Sequence, residues 1–209
     1  MSEPVNPDQP VTPADALALL LAGNDRFVAG DRQHPNQDAD RRAAAATGQR
    51  PFAVLFGCSD SRLAAEIIFD RGLGDLFVIR TAGHVVGAEV LGSIEYAVAM
   101  LDVPLIAVLG HDSCGAIAAT LDSIAEGTSP PGFIRDIVER VMISVVPVRD
   151  LAVKDPGLAV TEHIRYTADT IIERSSLIAE RVKDGRCAVV GLSYRLAEGK
   201  ASLVTRLGV

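Results

Sequence analysis

Pro51-Phe52-Ala53-Val54-Leu55-Phe56-Gly57 leads directly into Cys58-Ser59-Asp60-Ser61-Arg62. A short apolar run that ends at once in polar, reactive side chains is the pattern of a strand buried on both faces, opening at its carboxyl end onto a loop. The pattern recurs about fifty residues on, where Pro104-Leu105-Ile106-Ala107-Val108-Leu109 leads into Gly110-His111-Asp112-Ser113-Cys114-Gly115. Residues 75–79 (DLFVI) and 186–192 (RCAVVGL) read as two further buried strands. Between the strands the apolar period changes to that of helices. Val90, Leu91, Ile94, Ala97, Val98 and Leu101 mark one amphipathic helix; Ile134, Ile137, Val138, Val141, Met142 and Val145 mark another, which Pro147 helps to end. Ile164, Ala168, Ile171, Ile178 and Val182 mark a long third helix. Strands alternating with helices imply right-handed crossovers and a mostly parallel sheet. Ala197-Glu198-Gly199-Lys200 reads as a hairpin turn into a short edge strand over residues 201–205. The expected fold is α/β: a mostly parallel four-stranded sheet, order 2-1-3-4, with an antiparallel edge strand and flanking helices.

Upstream of this unit a helix starts at Thr12, an N-cap followed by Pro13 in the first helical position and by Asp15 in an imperfect capping box. Leu17, Leu20, Leu21, Asn24, Phe27 and Val28 share helical spacing, and Gly30 can end the helix. Leu19 widens the apolar face, which predicts contact with a second surface such as another subunit. Residues 1–12, with three prolines and no periodicity, are expected to form a flexible arm, and residues 13–209 a single domain.

Composition narrows the function. The net charge of −7 argues against nucleic acid as a partner. Hydrophobic residues make up 48% of the 209-residue chain but aromatics only 4%, with no Trp, so the core is built from Ala, Val, Leu and Ile. No apolar run reaches the length of a membrane span, and the first residues lack a secretory pattern. Three cysteines in a chain of this size fit a reducing cytoplasm, where they serve as metal ligands, nucleophiles or core fillers. Cys187, inside an apolar strand, reads as core.

In an open parallel sheet ligands bind beyond the carboxyl ends of the strands, where successive connections leave toward opposite sides. With the order 2-1-3-4, the loops 58–62 and 111–115 face each other across that crevice, and Cys58, His111 and Cys114 converge. Two thiolates and an imidazole suit Zn²⁺, and three protein ligands leave the fourth place open, as in catalytic sites. Spacing alone also allows unrelated buried thiols and a core histidine. Asp60 and Arg62 read either as a local salt bridge capping the next helix or, beside a metal, as an oriented proton acceptor and its holder.

Taken together, Cys58-Ser59-Asp60-Ser61-Arg62 and Gly110-His111-Asp112-Ser113-Cys114-Gly115 resemble the signature of the β-class carbonic anhydrases. Arg80-Thr81-Ala82-Gly83 and Ser93-Ile94-Glu95-Tyr96-Ala97 match further characteristic stretches, so the likeness spans roughly residues 14–207. The resemblance implies one zinc ion per subunit held by Cys58, His111 and Cys114, with Asp60 and Arg62 as catalytic dyad. It implies reversible hydration of carbon dioxide to bicarbonate and a proton by zinc-hydroxide attack. In the family's plant-type branch the substrate pocket is completed by a neighbouring subunit, which here assigns Gln49, Phe77 and Tyr96 to substrate binding, with the Gly115 N–H anchoring a bicarbonate oxygen. A homodimer or dimer of dimers follows, with the helix from Pro13 to Ala29 reaching across. Another branch carries an inhibitory bicarbonate site built from Trp, Arg and Tyr; Arg80 and Tyr194 have suitable places but Trp is missing, so that site is expected to be absent or incomplete.

Two thiolates neutralise Zn²⁺, so bound water should lose its proton less readily than at a three-histidine site, where the pKa is about 7. At low pH Asp60 is expected to swing in as a fourth metal ligand, in a closed form. His84 is the leading candidate for an exposed proton shuttle, ahead of His34 and His163. Two other functions compete: hydrolysis of carbonyl sulfide or carbon disulfide at the same zinc, and a non-catalytic zinc-binding module.

Overall fold

In a computed structural model, which describes residues 12–208, every predicted strand is present. The arm expected over residues 1–12 lies outside the described residues except for Thr12. Strands β1 (Ala53–Cys58), β2 (Leu76–Thr81), β3 (Leu105–His111), β4 (Ala188–Arg195) and β5 (Lys200–Leu207) form one sheet in the order β2-β1-β3-β4-β5. The first three pairings are parallel, and β5 runs antiparallel to β4 at the edge. β1 and β3 are buried along their whole length, as their unbroken apolar runs demand. β2 is not: it lies at the other edge and is only half-buried, which corrects its reading as a fully buried strand. An apolar run reports that a strand packs, but an edge strand can keep the same composition for a face that something else covers.

The helices are α1 (Pro13–Ala29), α2 (Ala39–Ala45), α3 (Ala65–Ile68), α4 (Ala88–Met100), α5 (Gly115–Glu126), α6 (Ile134–Val145), α7 (Arg149–Ala152), α8 (Pro156–Arg174) and α9 (Ser176–Lys183). Thr12 caps α1 by accepting from the Asp15 N–H, and Gly30 ends it in the left-handed conformation. Asn24, on the apolar face of α1, is buried yet fully used. Its amide donates to the carbonyls of Ile68 and Gly199 and its oxygen accepts from Ala201 N–H, which fastens α1 to α3 and the β4–β5 hairpin.

The single long helix expected from Ile164 to Val182 is two helices. Ser175 breaks it at φ −125°, ψ 103°, caps α9 by accepting from Ile178 N–H, and donates to Glu95 Oε1 on α4 at 2.6 Å. The apolar spacing continues through the break because both helices pack on the same core. α8 lies across β3 and β4, and its Ile164 fills a saddle made by two glycines: a Cβ at Gly110 or Gly191 would come within 2.5 Å of the Ile164 side chain. That close approach sets the height of α8 above the sheet, next to the carboxyl end of β3.

Candidate metal centre

β1 ends at Cys58, β3 ends at His111, and Cys114 is the N-cap residue of α5. The parallel register of β1 and β3 brings these ends side by side. All three residues are buried, and their two Sγ atoms and a ring nitrogen of His111 lie within 4.8 Å of one another, the one such cluster among the described residues. His111 Nδ1 is 2.7 Å from the Asp112 carbonyl oxygen, which can only accept, so Nδ1 carries a proton and in the neutral imidazole the lone pair is on Nε2. Nε2 is buried and has no hydrogen-bond partner. Leaving such an atom unsatisfied costs about 1–3 kcal/mol, a cost that a cation in the cluster removes. The donor set therefore fits Zn²⁺ with three protein ligands and one open place.

The sulfurs are prepared unequally. Cys58 is held far below an ordinary thiol by the Cys114 side chain first, against its burial, and next by the His111 ring beside it, with the N–H groups of Asp60 and Gly83 adding smaller contributions. The Gly83 N–H donates to Cys58 Sγ at 3.3 Å. Cys114 is pushed up by the hydrogen bond it shares with Cys58 and by burial, while the amides of Ile117 and Ala116 in the first turn of α5 favour its thiolate.

Beside the cluster, Arg62 grips Asp60 with two parallel bonds, Nε to Oδ1 at 2.9 Å and a terminal nitrogen to Oδ2 at 2.7 Å, and its backbone N–H adds a third to Oδ1. The guanidinium holds the Asp60 carboxyl well below the usual carboxylate range. Arg62 also donates to the Ser113 carbonyl at 3.2 Å, so the dyad bridges both loops of the crevice. Arg80 secures the backbone beneath it, donating to the carbonyls of Cys58 at 2.9 Å and Asp60 at 2.5 Å. Neither the Gly83 amide nor the Arg80 bridge was assigned a role from sequence. The stretch Arg80-Thr81-Ala82-Gly83 was the hint available, and its glycine takes the left-handed φ (+62°) for which such a turn calls.

Gly115 opens α5, so its N–H is one of the first-turn donors free of intrahelical partners. The remaining pocket residues lie elsewhere on the chain. Phe77 on β2 and Tyr96 on α4 have ring centroids 6.3 Å apart, and Tyr96 is 49% exposed. Gln49 is exposed and lines a wide surface cleft of about 730 Å³ with Arg42, Leu73 and Gly74.

The histidines require a correction. His84, expected as an exposed proton shuttle, is 0% exposed, and both ring nitrogens lack partners. Burial holds it well below the usual histidine range, and it packs against the rings of Phe56 and His163. A ring with no route to water cannot hand protons to it. His163 is buried too, bonded at Nε2 to the Gly83 carbonyl and at Nδ1 to Ser144. His34 is exposed. Cys187 is buried, its thiol pushed up to about 12 by burial. Arg80 is committed to the carbonyls named above, and Tyr194 is buried on β4, paired in register with His111.

A thiolate and imidazole metal site at the carboxyl ends of adjacent strands, where an open α/β sheet reverses its order, defines a class of metalloenzyme centre. Comparison with known proteins specifies the family. The family model described as carbonic anhydrase matches residues 53–201, and the chain belongs to the carbonic anhydrases, in their β class. It is 54% identical to carbonic anhydrase 2 of Mycobacterium tuberculosis over 196 residues, covering 94% of this chain and 95% of that one. It is 52% identical to a carbonic anhydrase of Mycolicibacterium smegmatis, with the same coverage. Among solved structures, the β-carbonic anhydrase CcaA superposes with a TM-score of 0.67 at 25% identity, over 90% of this chain and 87% of that one. A tetrameric β-carbonic anhydrase of Sordaria macrospora shares the fold, with a TM-score of 0.71 at 21% identity over 91% and 97% of the two chains.

Proposed function

We propose that the chain hydrates carbon dioxide reversibly to bicarbonate and a proton, at one zinc ion per subunit held by Cys58, His111 and Cys114. The observation that carries this reading is the unpartnered His111 Nε2, buried within 4.8 Å of two thiol sulfurs and next to a paired Asp60 and Arg62. Zinc bound there supplies a Lewis acid that makes water a nucleophile near neutral pH. The chain's own residues supply the rest. Asp60, kept ionised by Arg62, is an acceptor only, so it takes the proton of the attacking oxygen in hydrogen bond and turns a lone pair toward the carbon of carbon dioxide. The Gly115 N–H receives a bicarbonate oxygen as negative charge grows on it. A closed form with Asp60 on the metal requires the three bonds from Arg62 to be given up.

Gln49, Phe77 and Tyr96 complete the substrate pocket of a neighbouring subunit. The exposure of Gln49 and Tyr96 on an isolated chain supports this, as does the half-buried edge strand β2 that carries Phe77. The enzyme is accordingly a homodimer or a dimer of dimers, each chain folding as one domain over residues 13–209. Its three free cysteines support a cytoplasmic location, where thiols stay reduced. No described helix is long and apolar enough to cross a membrane, and the net charge of −7 argues against nucleic acid as a partner. Asp60→Ala tests the reading: carbon dioxide hydration falls by about 10²–10⁴-fold while zinc stays at one per chain. Undiminished hydration would remove Asp60 from the mechanism.

A further inference from the structure

The short turn Ala82–His84 between β2 and α4 is held from behind by a residue the reaction does not use. The Gly83 N–H donates to Cys58 Sγ at 3.3 Å, and its carbonyl accepts from Nε2 of His163, 2.7 Å away on α8 and 80 residues further along the chain. A carbonyl oxygen only accepts, so His163 carries its proton on Nε2. Its Nδ1 then accepts from Ser144 on α6 at 2.8 Å, sharing that hydroxyl with the Val141 carbonyl at 2.7 Å. The ring is 2% exposed and both nitrogens are used. α8 itself cannot drift, because Ile164, the next residue, is seated against Gly110 and Gly191. On the far side of the turn a Cβ at Gly83 would stand 2.8 Å from the Ala116 Cβ, so the turn is wedged between α5 and the His163 ring. Burying apolar area would need only a leucine or methionine at position 163. The two aligned hydrogen bonds, one into the turn and one out of it to a sulfur, call for a donor there.

We propose that His163 is a positioning residue for the metal centre: its Nε2–H holds the Gly83 carbonyl so that the Gly83 N–H stays aimed at Cys58 Sγ and tempers the charge this sulfur donates to zinc. The proposal rests on Cys58 being a zinc ligand. Partners of metal ligands set ligand orientation and basicity, and losing one typically costs about 10–100-fold in metal affinity or activity. The test uses the cobalt(II)-substituted full chain and the sulfur-to-cobalt charge-transfer band, which moves to longer wavelength when a thiolate loses a hydrogen bond. His163→Met should shift the band that way and speed loss of metal to a chelator about tenfold. His163→Gln, whose side-chain amide offers an N–H at similar reach, should restore both. A wild-type band and rate in His163→Met, or a glutamine variant displaced as far as the methionine one, overturns the proposal. Should His163→Met fail to fold, Ser144→Ala carries the test, with a smaller shift in the same direction; an unchanged band overturns it. A wild-type chain that takes up cobalt without any such band overturns the thiolate site itself, and this inference with it.

Discussion

The carboxyl ends of β1 and β3 and the outer edge at β2 are built on opposite plans. At the strand ends the groups around the cluster are held within one chain, Asp60 by Arg62, Arg62 by Ser113, Cys58 by Gly83 and His111 Nδ1 by Asp112, which leaves His111 Nε2 for the metal. At the β2 edge, Tyr96, Ile67, Leu73 and Met100 are exposed and α2 buries none of its residues. The metal cluster is thus a property of the folded chain, whereas the wall of the substrate pocket is expected from a pair of chains.

The sharpest way to break this contrast is to remove a ligand. Cys114→Ala should abolish zinc binding and all hydration while the chain still associates, as read by metal analysis and sedimentation. Loss of association with the metal would show that the two regions are one. A smaller effect is expected at the edge. Tyr96→Ala should leave zinc at one per chain but lower hydration about tenfold, with specific activity falling further on dilution as partners separate; activity independent of concentration would put the pocket wall inside one chain.

Acid should weaken the interior beneath the cluster. His84 and His163 are both depressed by burial, so the unfolded chain binds more protons than the folded one below the ordinary histidine value of about 6.5. Stability is therefore full above that pH and lost as pH falls below it, by up to about 1.4 kcal/mol per pH unit for each histidine. His84→Asn, which tolerates the positive φ of that position (+41°), should flatten the fall in melting temperature between pH 7 and pH 5.5. An unaltered slope would mean that His84 does not stay neutral when folded. The smallest effect belongs to Cys187: with its thiol pushed up to about 12, it should resist alkylation in the folded enzyme, and Cys187→Ala should keep full hydration.

The buried strands and the reactive loops at their ends were legible because both follow from side-chain type at short range: unbroken apolar runs mark β1 and β3, and the reactive residues come immediately after them. What escaped was set by partners distant in sequence. Ser175 ends a helix because Glu95 is there to receive its hydroxyl, and His84 is buried because α8 and Phe56 close over it. Neither is encoded in local periodicity. Arg80 carried a recognisable motif, yet only the structure shows that its guanidinium spans the carbonyls of Cys58 and Asp60.

The central claim is that three residues of one chain hold a zinc ion on which carbon dioxide is hydrated. Stopped-flow hydration measured on the purified enzyme, after zinc removal and after zinc is returned tests it most directly. The account predicts rapid hydration, its loss with the metal, and its return at one zinc per chain. Hydration that persists in the zinc-free enzyme, or is absent from the fully loaded one, would contradict it.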